Sequence, residues 1–541
     1  MSKNKKNSYV ENPKPKATAP TTPKAKSKKR TFHLPLLPTP VIAFVLLWLW
    51  MACWQGDVFR IIRENSFFAF DETLMQYEMD KPNGLLWTIG RGLLMTFRHP
   101  WMGATLLAFM LTATCWMLGY VLRLKGNLRW LQYLPIGIFT GIFTYQGVAS
   151  WHEAESGHVI GFPLAVFLII AVMALLVRLF LRKPLPALIR IPTDETPRQN
   201  RLQIYVLLLV LGLPMFYAQQ SRPYVRPLAK MQMAVAEKDW QRVIDIAHAN
   251  SEISNRPMAA YYAMALVQTG QIGDRMFDIR LDYDTIHTKG LNGVNNPANI
   301  YLMECDFHSG LAETAYHHAM ESMVMEGPTI RNLKMLCKTS LLRGEWEAAE
   351  KYLTILDHVP FEGAFVDNYR PMLRDSARVN ADPEFAVVRQ LEPIHDIFEN
   401  TLILPTFLGY NTAIIQGRST QALVNATMVS IYTKSMPALM ARAQAFIGTT
   451  PPASIMEALT LLSGKTPELR KAFPGIDMNL PRLESFLADT RQYVATPEDR
   501  AKHAAELFPK FKGYYPYYYF FGNLKATRKA AKENNSSAGV N

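Results

Sequence analysis

Five stretches of this chain carry no Asp, Glu, Lys or Arg over lengths that approach or exceed the thickness of a bilayer core. The first lies between Arg30 and Asp57, and within it Val41 to Trp54 is apolar throughout. The others run Trp101 to Leu122, Trp130 to Trp151, Val159 to Val177 and Leu202 to Tyr217. A soluble core has no use for apolar runs of this length, so residues 32–218 read as a transmembrane domain. Its spans are expected at about 35–55, 101–122, 130–150, 159–181 and 202–218. Trp54, Trp101, Tyr120, Trp130, Trp151 and Tyr217 sit at their ends, where an aromatic interface belt places such side chains.

The distribution of charge orients these spans. The net charge of +13 is uneven: residues 1–31 carry ten Lys/Arg against Glu11 alone, whereas residues 219–541 carry 34 of each sign. No basic face remains for nucleic acid, and none is expected as a partner. The Lys-, Pro- and Thr-rich segment 1–31 has almost nothing to bury and reads as a disordered cytoplasmic tail. Arg123, Lys125 and Arg129 follow the second span, and Arg182, Lys183, Arg190, Arg198 and Arg201 follow the fourth. Both loops are therefore expected on the cytoplasmic side. The loop Trp151 to His158 has two Glu and no Lys or Arg, so it faces out, and five crossings put residues 219–541 outside as well. Between Gly84 and Phe97 an apolar segment broken by Gly90 and Arg91 is too short to cross, and a helix over about 84–97 lying in the outer interface is expected.

After the last span the chain turns to amphipathic helical patterns separated by Gly or Pro. Leu333 to Pro360 resembles one tetratricopeptide unit, with Leu333 and Leu336 on a first helix, Gly344 and Trp346 at the turn, and Ala349 and Leu353 on a second. Gly310-Leu311 and Gly270-Gln271 occupy the same turn, and Lys238-Asp239-Trp240 does so without a glycine. The extra length between the first two glycines falls in a polar insert around Asp284 to Pro297. Beyond Pro360 the repeat fades, but helices are expected over 419–432, 437–447, 452–463, 480–493 and 496–508. The fold class is all-α: a five-helix transmembrane region followed by a tetratricopeptide-like α-solenoid over 219–521, with a frayed polar tail over 522–541. The aromatic run Tyr514 to Phe521 reads as a cap on the last helical layer.

The segment Asn83-Gly84-Leu85-Leu86, leading through Thr96-Phe97-Arg98-His99-Pro100-Trp101-Met102-Gly103, resembles the first outer loop of an uncharacterised family of bacterial polytopic inner-membrane proteins. The units around Gly310 and Gly344 and the aromatic C-terminal end share the resemblance, which covers most of residues 35–521. It implies a protein of the inner membrane with a tetratricopeptide-like periplasmic domain, and it supplies no activity.

Candidate sites are few. His152, Glu153, Glu155 and His158 gather metal-binding residue types in one short loop, but their spacing matches no standard motif, and an ordinary polar hairpin is the favoured reading. Asp71 and Glu72 stand in the first outer loop, where polytopic glycosyltransferases with lipid-linked donors place a catalytic acid; a solvated helix start is the simpler reading. Cys305 and Cys337 fall in different registers of successive first helices, which weighs against a disulfide. The glycine patterns follow no strand, so no phosphate loop is expected and no cofactor is assigned. The spans lack central ionisable groups, which argues against an ion-coupled transporter.

The expected function is a membrane-anchored scaffold whose helical repeats bind an envelope protein or peptide on the outer side. Residues 228–360 form its recognition region, marked by the framework residues Trp240, Tyr262, Leu311 and Trp346. The alternative is a glycosyltransferase-like or envelope-polysaccharide protein that uses Asp71 and Glu72.

Overall fold

The computed structural model describes residues 38–80, 82–152, 156–181, 197–281, 300–392 and 419–522. The basic segment 1–31, the insert around Asp284 to Pro297 and the tail from residue 523 lie outside the described residues. Among the described residues every regular element is helical.

The apolar half contains α1 (Thr39–Leu49), α2 (Gly56–Glu64), α3 (Glu72–Met79), α4 (Gly84–Leu94), α5 (Pro100–Val121), α6 (Leu134–Gln146), α7 (Ala149–His152), α8 (His158–Leu181) and α9 (Pro197–Ser221). Three of these, α5, α8 and α9, are long and apolar enough to cross a membrane. The count rises to four if α1, its π-helical continuation Trp50–Trp54 and α2 are taken as one span bent by 67°. The expectation of five full spans is therefore corrected. The 130–150 stretch holds only a 13-residue α-helix, started by Pro135 in its first turn and ended at Gly147 with φ +55°. A 3-10 helix, Gly126–Tyr133, precedes it. Hydropathy alone does not distinguish that mixture from one continuous helix.

Contacts sort the ends of these helices into two groups. Gln203 near the start of α9 accepts from Thr39 Oγ1 at the start of α1 (3.3 Å) and from Gln132 Nε2 before α6 (3.2 Å). Gln132 also lies against Gly119 near the end of α5. At the opposite end Arg222, just past α9, donates to the carbonyls of Tyr145 and Gln146, the latter at 3.0 Å. Here too Arg226 lies 3.5 Å over the Trp54 ring and the Asn65 amide donates to the Trp151 carbonyl (2.8 Å). The outward faces of α8 and α9 expose Phe162, Ile169, Leu209 and Phe216, an apolar surface unlike that of a protein in water.

The second half begins with α10 (Val225–Ala236), α11 (Trp240–Ala249), α12 (Arg256–Gln268), α13 (Ile272–Arg275), α14 (Leu302–His308), α15 (Ala312–Glu326), α16 (Ile330–Arg343), α17 (Trp346–Asp357) and α18 (Gly363–Tyr369). It continues with α19 (Ser376–Ala381), α20 (Pro383–Leu391), α21 (Thr420–Tyr432), α22 (Met436–Ala443), α23 (Ala453–Ser463), α24 (Leu469–Ala472), α25 (Gly475–Thr490), α26 (Pro497–Phe511) and α27 (Tyr515–Phe521). One turn recurs between helices. Lys238, Gly270, Gly310, Gly344 and Lys434 all have φ between +58° and +91°. In each case the next residue's N–H bonds the carbonyl five residues back: Asp239 to Ala234, Gln271 to Leu266, Leu311 to Asp306, Glu345 to Ser340 and Ser435 to Ser430, at 2.8–2.9 Å. This is the Schellman closure of a helix, and it sets the angle at which the following helix departs. The turn at Lys434 extends the pattern beyond Pro360, where no further unit was expected, because lysine there conceals the left-handed residue.

Two of these turns make a controlled comparison. A Cβ on Gly310 would lie 2.5 Å from the Leu391 carbonyl carbon and 2.7 Å from the Glu392 nitrogen, whereas one on Gly344 would meet nothing nearer than the Trp346 ring at 3.6 Å. Gly344→Ala is expected to cost about 1–2 kcal/mol from backbone strain alone. Gly310→Ala is expected to cost about 2–4 kcal/mol, because the backbone it strikes cannot swing aside. Thermal unfolding of both variants in detergent checks the order.

The two halves share a core. A continuous buried cluster links Ala43 and Leu47 of α1, Phe59 and Ile62 of α2, Leu107 and Leu111 of α5, Leu228 and Met231 of α10, and Tyr261 of α12 to Tyr515 and Tyr518 of α27. A second cluster packs Phe67, Ala69 and Met95 among α14 to α18 and α20. The chain after α2 is tied down along its backbone, with Ile330 N–H donating to the Ser66 carbonyl (3.0 Å) and Phe70 N–H to the His358 carbonyl (2.9 Å). The aromatic C-terminal helix is packing material: the Tyr518 hydroxyl donates to the Tyr432 carbonyl (2.8 Å) and the Tyr517 hydroxyl to the Ala504 carbonyl (2.5 Å).

Candidate functional site

A cavity of about 700 Å³ opens where α2 and the Arg98-His99 corner meet the helix pairs. Its walls come from α10, α14 and α16, each of which runs into one of the recurrent turns, from α18, and from the exposed side of α2. The local sequence explains each contribution. In α2, Val58, Phe59, Ile61 and Ile62 are buried, which leaves Arg60 and Glu64 to face the cavity. In α16, capped by the Thr329 hydroxyl on Asn332 N–H (3.1 Å), the spacing of Arg331, Lys334 and Lys338 puts all three cations on one face. Glu304 and His308 stand four apart on α14.

Ion pairs cross the seam in a chain. Arg63 is 1% exposed and reaches Glu362 (2.5 Å) on the far side and Glu64 (2.7 Å) on its own helix; it also donates to the Pro360 carbonyl (2.9 Å). Lys334 closes the ring onto Glu64 (2.9 Å) and Glu362 (2.8 Å). Arg331 Nε donates to Glu304 (2.6 Å), and Arg60 donates to Glu237 (2.6 Å). Deeper in the wall, Glu384 at the start of α20 receives Lys238 (2.5 Å), Lys338 (2.8 Å) and the Tyr369 hydroxyl (2.9 Å).

These partners set the ionisation of the wall. Lys338 and Lys238 outweigh burial and hold the Glu384 carboxyl well below the usual range. Burial pushes His308 down to about 3, and Lys338 and Lys238 add to that against the pull of Glu384 at 3.8 Å, so the imidazole is neutral. Both groups have folded values below their unfolded ones. Each therefore contributes stability that is complete above its unfolded value and is lost on acidification: from pH 6.5 towards 3 for His308, and below pH 4.5 for Glu384. The difference in melting temperature between the natural protein and His308→Phe is expected to change between pH 6.5 and 4.5 as the imidazole contribution is lost. A pH-independent difference would contradict this assignment.

The residues singled out in the sequence lie elsewhere. Asp71 caps α3 by accepting from Leu74 N–H (2.9 Å), and Glu72 is an exposed first-turn residue; neither lines the cavity. Glu153 and Glu155 lie outside the described residues, His152 ends α7, and His158 packs against Trp87 (4.3 Å between rings). Among the described residues no group of three or more His, Cys, Asp or Glu could hold a metal ion. Of the framework residues, Leu311 and Tyr262 are buried, and the Tyr262 hydroxyl donates to the Arg275 carbonyl (2.7 Å). Trp240 covers His308 edge-on (4.8 Å), and Trp346 is half-buried in the second cluster. Cys305 and Cys337 are buried free thiols.

The seam charges were missed because each is unremarkable in its own helix. The available signal was in α16, where ten residues are buried and yet three basic side chains share one face. A buried helix with a charged face needs charged neighbours.

No curated protein and no solved structure matches the chain. A family model described as a family of unknown function (DUF6057) matches residues 32–217 and 136–522, which together run from the first apolar helix to the last aromatic one. The chain belongs to that family.

Proposed function

We propose that the protein is a membrane-anchored scaffold of the bacterial inner membrane whose tetratricopeptide-like helix pairs hold an envelope protein or peptide on the periplasmic side. The observation that carries this reading is the shared core: apolar helices and helix pairs are joined through α2 and the 66–70 strap, so the pairs stand at a fixed attitude to the bilayer. A catalyst needs a reacting centre, and the carboxylates of the glycosyltransferase-like alternative are a helix cap and a solvated neighbour. The inner ends of the pairs are taken up by the seam, so a partner docks on the outward faces of α15 and α17, within residues 228–360.

The topology rests on the two groups of helix ends. Gly126 to Gln146 starts beside the end of α5 and finishes beside Arg222. Gln132 still lies at the first end, so the crossing falls to α6, whose 13 residues at about 1.5 Å each span about 20 Å, part of a bilayer core. With α6, short as it is, reversing the chain between the two groups of ends, α1, α5, α6, α8 and α9 alternate in direction, and a cytoplasmic N-terminus puts the helix pairs outside.

In-cell crosslinking and mass spectrometry, with the full chain beside a form ending at Gln220, test the proposal. One envelope protein recovered with the full chain and lost on truncation is the expected result. Recovery of none, or equal recovery with both forms, would overturn it.

A further inference from the structure

The seam cavity is too large and too unevenly charged to be mere glue. Its lining carries six cationic side chains, Arg60, Arg98, Lys238, Arg331, Lys334 and Lys338, against four carboxylates, Glu64, Glu237, Glu304 and Glu362. Arg63 and Glu384, which stand behind the wall, add one charge of each sign and leave the excess at two positive charges. The excess can be located. One charge arises because Lys238 and Lys338 share the single carboxylate of Glu384. The other is Arg98, which makes no hydrogen bond or ion pair among the described residues. Glu64, whose carboxylate feels Arg98, is already held by Arg63 and Lys334.

A half-buried guanidinium facing a cavity of about 700 Å³ whose walls carry an excess of positive charge is an arrangement in want of an anion. The volume lies in the range of small-molecule sites, roughly 300–1,000 Å³. Arginine presents a planar fork that suits the paired oxygens of a phosphoryl group, and lysines supply point charges around it. Position narrows the class further. Arg98 and His99 immediately precede α5, whose exposed Trp101 and apolar length begin at Pro100, so the cavity opens at the level where that helix would leave a bilayer. His99 stands edge-on to Phe361 at the rim (5.9 Å between rings), which gives the opening an aromatic border.

We infer that the seam cavity binds a phosphate-bearing anion, with Arg98 as the principal ligand and Lys338 and Lys238 as supporting charges. Such a group comes either from a lipid headgroup entering along α5 or from a soluble phosphorylated compound. The site does not depend on which protein the helix pairs hold.

The test uses the full chain, purified in a neutral detergent and titrated with inorganic pyrophosphate by calorimetry. In parallel the chain is placed in nanodiscs of phosphatidylcholine with or without phosphatidylglycerol, and thermal unfolding is followed. Arg98→Gln removes the ligand without breaking an ion pair. Ala364→Glu sets a negative charge on an exposed lining position, and serves if the first variant does not fold. Pyrophosphate binding that weakens at least tenfold in either variant supports the inference and points to a soluble ligand. Stabilisation by phosphatidylglycerol alone, lost in either variant, supports it and points to a headgroup. Failure of both probes to bind, or equal response of the natural protein and a folded variant, would overturn it.

Discussion

Glu384→Ala is expected to destabilise the protein by about 3–5 kcal/mol, because it strands two lysines and a tyrosine hydroxyl around a carboxylate site that is 3% exposed. Lys238, 37% exposed, can turn towards solvent, but Lys338 at 16% cannot do so freely, so most of the cost falls on the second lysine. The drop in melting temperature should be about 3–8 °C at neutral pH for a chain of this size. Glu384→Gln retains an acceptor for Tyr369 and should lose less. Combining Glu384→Leu with Lys338→Met should recover much of the loss, since a buried ion pair replaced by apolar side chains of similar bulk is often close to neutral. Thermal unfolding of the four proteins in one detergent checks the series. A Glu384→Ala protein that melts with the natural one would show that the wall charges are solvated and contribute nothing.

Arg63→Met should cost a comparable amount, about 3–5 kcal/mol, but in a different place. The guanidinium is buried and serves Glu362, Glu64 and the Pro360 carbonyl together. Its loss leaves Glu362, at 2% exposure, to be held by Lys334 at 2.8 Å. The break lies at the seam, so hydrogen exchange should rise in α2, the 66–70 strap and the first turn of α16, while α23 and α25 stay protected. Uniform acceleration across the chain would instead mean that the seam is no weaker than the rest.

The extent to which sequence revealed this fold follows from what kind of interaction each element rests on. The recurrent turns were readable at Gly270, Gly310 and Gly344 because a left-handed residue favours glycine, and even Lys238 was found from its neighbours. The helix expected from 496 begins there, with the Thr496 hydroxyl accepting from Asp499 N–H at 3.1 Å, a local signal of the same kind. The shortened third span was not, since Pro135 and the 3-10 helix before it leave hydropathy unchanged. The seam was least legible of all. Arg63 and Glu362, or Lys338 and Glu384, are distant in the chain, and each looks like a solvated charge until the fold brings it to its partner.

The wedge formed by α2 has a consequence for how the molecule is made. The ribosome delivers α2 long before α10, α16 or α18, and it emerges already attached to the first apolar helix. The later helices thus arrive to find a template waiting, with its hydrophobic side set into the bundle and its charged side turned to receive them. Biogenesis should therefore run from membrane insertion to domain closure in that order, and a fragment beginning after Gln220, born without its keel, should accumulate as aggregate when produced alone.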